Sequence, residues 1–311
     1  MTTTLDDLTT LRDWLRYAVS RFTAARLVYG HGTSTALDEA AFLILSALHL
    51  PVDALDPWLD ARLTREERAR LSELIEARIT TRKPAPYLVN AAYIRGHKFF
   101  VDERVIVPRS FIGELICDLM EGDDELAVFT DDPASVRRVL DLCTGSGCLA
   151  ILAAIAFSDA QVDAADISED ALAVAEQNVA DYGLADRVRP IRSDLFGALK
   201  CERNDLVISN PPYVTRPAVE AYPPEYRAEP TLAHLGGEDG LDLVRLILDA
   251  APEHLTPNGQ LVVEIGQGRE LLEAEYPHLP FIWLDTAESS GEVFRIGAAE
   301  LAGTNKKRRK G

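Results

Sequence analysis

Two kinds of hydrophobic pattern follow one another along the chain, and they divide it. Over the first 85 residues the apolar positions recur at helical spacing. Leu8, Leu11, Leu15 and Val19 line up, with Trp14 and Phe22 near the same stripe. Thr35 is placed to cap a second helix, with Asp38 three positions on in capping-box style and an apolar body over 40–49. Thr64 with Glu67 marks a third start that runs through Leu71, Leu74 and Ile75. Pro84-Ala85-Pro86 breaks that helix. Strand-like stretches at 93–95, 98–101 and 104–107 then read as a short hairpin linking two domains, and acids at Asp123, Asp124, Glu125, Asp131 and Asp132 flank the start of the second.

From residue 136 the pattern becomes alternating strand and helix. Strands are expected at 136–142, 161–167, 188–193, 205–209 and 260–265, and helices at 147–157 and 241–255. Ser168 caps a further helix, with Glu169 and Asp170 in its first turn, Leu172, Ala175 and Val179 inward, and Gly183 at its stop. Pro257-Asn258-Gly259 ends the later helix, and 281–284 with 293–296 form a closing antiparallel pair. Such alternation predicts an α/β fold, a mostly parallel seven-stranded sheet covered on both faces. The expected division is a helical docking domain over 1–85, a hairpin linker with a helix leading out of it over 86–135, the α/β domain over 136–300 and a basic tail over 301–311.

Composition narrows the function classes. The 311 residues suit about two domains, and 47% hydrophobic with 26% charged residues is ordinary for a globular chain. The longest apolar run, 148–157, has ten residues, against about 20 for a membrane span. The first ten residues hold acids and no basic segment, so no signal peptide is expected. Cys117, Cys143, Cys148 and Cys201 show no C-x-x-C spacing and the six histidines no H-x-x-x-H, so neither a disulfide framework nor a metal site is expected. Reduced thiols fit the cytoplasm. The net charge of −18 is uneven. Residues 1–85 hold 11 basic against 12 acidic side chains, residues 86–305 hold 16 against 38, a net of −22, and Lys306, Lys307, Arg308, Arg309 and Lys310 add +5. An acidic domain repels nucleic acid and attracts basic partners, or serves solubility alone. Direct nucleic-acid binding is therefore expected, if at all, only through that tail.

Three segments carry candidate chemistry, each where a predicted strand ends. Asp141-Leu142-Cys143-Thr144-Gly145-Ser146-Gly147 turns the first strand into a helix, and Gly145-x-Gly147-x-x-Ala150 fits a dinucleotide fingerprint. Read alone it is a nucleotide-type loop or a tight turn. Asp166 ends the second strand, 19 residues after Gly147, where a carboxylate accepts ribose hydroxyls; helix capping is the other reading, a role Ser168 already fills. Asp194 ends the third, as an acceptor for an adenine amino group or as a plain loop acid. Ser209-Asn210-Pro211-Pro212-Tyr213 follows the fourth. Two prolines there forbid ladder bonding and fix the backbone, so an amide, a proline carbonyl and an aromatic face are held together.

Asp-x-x-Thr-Gly-Ser-Gly followed by Asn-Pro-Pro-Tyr resembles the class I S-adenosylmethionine-dependent methyltransferases, and within them the protein-(glutamine-N5) methyltransferases. The likeness runs from the N-terminal helices to about Gly297 and includes Val107-Pro108-Arg109-Ser110, the segment 225–230 and Gly236-Gly237-Glu238-Asp239-Gly240-Leu241-Asp242. The resemblance implies a Rossmann-like fold with S-adenosyl-L-methionine as cofactor, held by Asp141, Thr144, Gly145, Ser146, Gly147, Asp166, Asp194 and Asn210. It implies catalysis by Asn210, Pro211 and Tyr213, and substrate contacts from these with Pro212, Arg109 and Glu229. Glu114 is a lesser candidate beside Arg109. Two branches of the family modify peptide-chain release factors and large-subunit ribosomal protein L-three. Pro108-Arg109-Ser110-Phe111-Ile112-Gly113-Glu114, Cys143-Thr144-Gly145-Ser146-Gly147-Cys148 and the N-terminal Thr10-Leu11-Arg12-Asp13-Trp14 and Tyr29-Gly30-His31-Gly32-Thr33 resemble the second. A basic ribosomal protein is then the expected partner. The rival readings are a nicotinamide-dependent oxidoreductase, which leaves Asn210 to Tyr213 idle, a nucleic-acid amine methyltransferase, which the acidic charge opposes, and a ribosome-associated binding protein with no activity.

Overall fold

The computed structural model describes residues 5–122, 129–130, 133–199, 202–286 and 289–302. The acids Asp123, Asp124, Glu125, Asp131 and Asp132, the thiol Cys201 and the basic tail lie outside them. The chain forms two units: Met1–Glu103 with Tyr222–Glu229, and Arg104–Ala221 with Pro230–Gly311. The first unit thus runs past residue 85 and takes in a later segment of chain.

In the first unit, α1 (Leu11–Ala24), α2 (Ala36–Ala47) and α3 (Arg65–Thr81) pack around Trp14, Phe22, Leu43, Ile44, Leu71 and Ile75. Thr10 and Thr64 each form a full capping box with Asp13 and Glu67. At Thr35 only half of it forms. The hydroxyl accepts the Asp38 N–H at 3.1 Å, but the Asp38 carboxylate takes the hydroxyls of Thr35 and Ser34 instead of the backbone donor. The third helix stops before the prolines, at a left-handed Arg82, and a short α4 (Ala85–Val89) follows with Pro84 at its N-cap and Pro86 in its first turn. The same fixed φ that breaks a helix interior suits a first turn. A two-stranded hairpin follows, β1 (Ala92–Ile94) with β2 (His97–Phe99). The stretch 104–107 forms no strand. Val105 and Val107 are buried there with Ile106 between them half-buried, so the alternating apolar positions arise without a ladder partner.

Tyr222–Glu229 is fastened into this unit by buried polar groups. The Glu225 carboxylate accepts the Val28 N–H at 3.1 Å and an Arg82 N–H at 3.0 Å. The Tyr226 hydroxyl donates to the Tyr29 carbonyl at 3.4 Å, and its ring lies 4.4 Å from that of His31. His31 Nε2 faces Glu229 at 3.5 Å. Beneath them Arg78 and Glu39 form a fully buried ion pair, with Arg78 also donating to the Val28 carbonyl.

The second unit is built of α5 (Phe111–Glu121), β3 (Arg138–Leu142), α6 (Cys148–Ala156), β4 (Gln161–Asp166), α7 (Glu169–Asp181), β5 (Val188–Arg192), β6 (Asn204–Ser209), α8 (Arg216–Glu220), α9 (Asp242–His254), β7 (Leu255–Glu264), α10 (Arg269–Glu275), β8 (Ile282–Leu284) and β9 (Val293–Gly297). One sheet has the order β5-β4-β3-β6-β7-β9-β8. The first five strands are parallel, and β9 pairs antiparallel with β7 and β8. This is the mostly parallel seven-stranded sheet with a closing antiparallel pair. Pro257-Asn258-Gly259 lies within the first half of β7, beside a register shift at Asn204/Leu206, and not in a turn. Gly259 fits there because a Cβ would stand 2.8 Å from the Asn204 carbonyl. Strand order reverses between β3 and β6, so the crevice beyond their carboxyl ends is where such a sheet takes ligands. Among the described residues no helix is long and apolar enough to cross a membrane.

Candidate active site

The crevice opens at two loops tied at their roots. Leu142 of β3 pairs with Ser209 of β6, and the Ser209 hydroxyl donates to the Leu142 carbonyl at 2.9 Å. From Leu142 the chain enters α6 through three left-handed residues, Cys143, Gly145 and Gly147. The two glycines do different things. A Cβ on Gly147 would come within 3.1 Å of the Ala175 Cβ, so its absence lets α7 pack against the turn. A Cβ on Gly145 would meet nothing within 4 Å, because that residue faces the open cleft.

Two carboxylates shape this turn. Asp141 is fully buried; its Oδ2 accepts the Thr144 hydroxyl at 2.5 Å and the Ala150 N–H at 3.1 Å. Its Oδ1 has no hydrogen-bond partner among the described residues. Burial pushes its pKa up to about 7, against the pull of those two donors. Asp166 accepts the Gly145 N–H on Oδ2 and the Ser168 N–H on Oδ1, each at 2.9 Å, and burial raises its pKa too. Asp166 therefore does hold the start of α7, as the capping reading proposed, while Ser168 caps the Ala171 N–H. It also fixes the glycine turn opposite.

The second loop is braced from three sides. Pro211 is buried and Asn210 and Pro212 are half-buried. Val214 and Leu235 form a bridge, with the Gly236 N–H donating to the Val214 carbonyl at 2.9 Å. A Cβ on Gly236 would stand 2.6 Å from both the Pro212 carbonyl and the Tyr213 Cα, and one on Gly240 2.3 Å from the Tyr213 carbonyl. Gly266 meets the Tyr213 ring in the same way, at 2.8 Å. The Tyr213 hydroxyl donates to Glu264 Oε1 at 3.2 Å, and burial raises its pKa far above the usual phenol range. Glu264 is fully buried, and its pKa is pushed up to about 7 by that burial.

Between the loops lies a cleft of about 370 Å³, within the range of small-ligand sites. Of the predicted residues it brings together Gly145, Asp166, Asp194, Asn210 and Pro212 in its wall, with Ser168 at the same end and Val105, Ile106, Leu232 and Leu235 as apolar lining. Asp141, Thr144, Ser146 and Gly147 shape the turn from behind; the Ser146 carbonyl accepts the Asn178 amide at 2.9 Å. Pro211 and Tyr213 form the loop's inner side. Arg109 donates to the Val107 carbonyl at 3.2 Å, and its charge opposes the rise at Tyr213. Glu229 belongs to the first unit, buried against His31. Sequence reasoning missed Glu264. The signal was there: one acid inside Leu261-Val262-Val263-Glu264-Ile265, a run otherwise wholly apolar.

The methyltransferase small domain family matches residues 126–222. Three relatives match nearly end to end, each named ribosomal protein uL3 glutamine methyltransferase. That of Bradyrhizobium diazoefficiens is 57% identical over 95% of this chain and 92% of its own. That of Bordetella pertussis is 54% identical over 95% and 97%. That of Burkholderia pseudomallei is 50% identical over 97% and 98%.

Proposed function

The chain belongs to the ribosomal protein uL3 glutamine methyltransferases, and from that membership we propose that it transfers a methyl group from S-adenosylmethionine to the side-chain amide nitrogen of a glutamine in uL3. The observation that carries the chemistry is the braced Asn210-Pro211-Pro212-Tyr213 loop, with Asn210 and Pro212 in the wall of the cleft that Gly145, Asp166 and Asp194 also line.

The cleft fits the donor. Asp166 and Asp194 offer acceptors for ribose hydroxyls and an adenine amino group, and Ile167 and Leu195 offer apolar lining beside them. Asp141 Oδ1 is a buried acceptor with no donor among the described residues. When bound, S-adenosylmethionine supplies a methyl group already activated by its sulfonium charge. The task left to the chain is the nucleophile. A glutamine amide nitrogen is weak because its lone pair is delocalised into the carbonyl. The Asn210 side-chain oxygen and the Pro211 carbonyl accept its two N–H bonds, which orients the nitrogen and supports charge developing on it. Tyr213 bounds the amide plane. The proton leaves to water after transfer, so no dedicated base is required.

Incubation with labelled donor, followed by mass spectrometry of the substrate, tests the reading. Label on a glutamine of uL3 supports it. Label on a release factor alone reassigns the substrate and keeps the amide chemistry, whereas label on RNA alone overturns both. Asn210→Ala is expected to cut kcat by about 10²-fold or more, the scale of removing a transition-state donor or acceptor, with donor Kd nearly unchanged by calorimetry.

A further inference from the structure

Glu264 stands at the carboxyl end of β7, with β6 on one side and β9 on the other, and has no exposed surface. A carboxylate in such a place is costly unless donors surround it. Three do. Its Oε2 accepts the Ser110 hydroxyl at 2.8 Å and the Phe111 N–H at 2.9 Å. Ser110 is the N-cap of α5, yet its hydroxyl makes no cap bond to its own helix. Phe111 N–H is one of the helix's first donors, which have no partner within it. Glu264 thus takes over the capping of α5 from outside, where a negative charge is also favoured by the helix dipole. Its Oε1 faces the other way and accepts the Tyr213 hydroxyl at 3.2 Å.

One carboxylate therefore joins the N-terminus of α5 to the last residue of the Asn210-Pro211-Pro212-Tyr213 loop. We infer that Glu264 is a positioning residue: it holds Tyr213 by the hydroxyl, and through Tyr213 sets where Asn210 and Pro212 stand in the cleft. The ring has little freedom besides. Gly266, two residues beyond Glu264, lies against its edge where any side chain would collide. Arg109 and Glu292 are the other charges acting on Tyr213, and neither gives it the geometry that Glu264 does. The inference rests on the methyl-transfer reading above for its kinetic consequence, and on the hydrogen bonds alone for its structural one.

The test is a double-mutant cycle on the full chain with Glu264→Gln, Tyr213→Phe and the two combined. It is read as kcat on uL3, donor Kd by calorimetry and thermal midpoint. Glu264→Gln keeps the shape of the side chain and loses the charge, while Tyr213→Phe deletes the same bond from its other end. Each single change is expected to lower kcat about tenfold with donor Kd within about threefold, and the double change to fall no further than the weaker single, because both remove one interaction. Unchanged kcat in Tyr213→Phe overturns the inference, and so do kcat losses that simply multiply. Should Glu264→Gln fail to fold, Tyr213→Phe still decides. If the wild type methylates nothing, the proposed function fails separately, and the thermal midpoints decide the inference: fully additive losses overturn it, and a shared loss supports it.

Discussion

Asp166 lines the cleft and holds the glycine turn, its Oδ2 accepting the Gly145 N–H and its Oδ1 the Ser168 N–H. A carboxylate has about four acceptor sites, so it keeps capacity for a ligand. Asp166→Ala removes both anchors and the ligand contacts together, so it is expected to weaken donor binding by about 1–3 kcal/mol, the scale of bonds to a charged group. Calorimetric titration measures it, and an unchanged Kd removes Asp166 from the site. Asp141 makes a separate prediction about pH. Burial raises its pKa from 3.8 to about 7, so between those values the folded chain keeps a proton that the unfolded chain loses. Its contribution to stability is present below the lower value and is lost as pH rises through the higher one. Glu264, raised from 4.5 to about 7, acts in the same direction. Wild-type thermal midpoints should therefore decline from about pH 5 to about pH 8 by more than those of Asp141→Asn, which has no proton to lose there. Equal declines would show that Asp141 is ionised throughout.

At the scale of elements the fold was legible and the bracing was not. Periodicity located α1 to α3 and each strand of the sheet, because burying one helix face or a whole strand leaves its spacing in the sequence. Asn210 to Tyr213 was legible for a related reason: two prolines after a buried strand have few conformations to choose from. What supports that loop left no period. Gly236 and Gly240 matter through close approach to Pro212 and Tyr213, and Glu264 through partners about 50 and 150 positions away in sequence, at Tyr213 and Ser110. Pro257-Asn258-Gly259 follows the end of α9 at His254 as its residue types suggest, but the start of β7 at Leu255, ahead of the expected 260, left no period, because those residues are strand only through packing against Asn204. The glycines separate two functions. Gly240→Ala drives a Cβ into the Tyr213 backbone, which cannot rotate aside, and is expected to lower kcat about 10²-fold while donor binding survives, since misplacement of the order of 1 Å has that effect. Gly145→Ala collides with nothing but strains a left-handed residue at the cleft, so it is expected to raise donor Kd first. If both variants fail in the same parameter, measured by calorimetry beside steady-state kinetics, the two loops do not have separate tasks.

For the whole molecule, charge is the property that bears on the partner. Residues 86–305 carry a net of −22, while residues 1–85 are nearly neutral. Proteins that bind RNA in the ribosome are basic, so a field of this sign draws such a substrate in before any contact is made. We propose that the helical N-terminal region docks it. Deleting 1–85 is a poor test of that role. Glu225, fully buried, would lose both the Val28 N–H and the Arg82 guanidinium, and leaving a buried charge unpaired costs about 3–5 kcal/mol. Salt is the cleaner probe, because it leaves the fold's covalent parts alone and acts on long-range attraction first. The screening length shrinks from about 14 Å at 0.05 M to about 4 Å at 0.5 M. Over that range kcat/KM for free uL3 is expected to fall several-fold through KM. The value of kcat at saturating substrate and the donor Kd should hold, because short hydrogen bonds in a half-enclosed cleft are screened far less than surface charge. Steady-state kinetics at the two salt concentrations reads this directly. A fall in kcat with KM constant would place the salt effect in the cleft and remove the acidic surface from substrate capture.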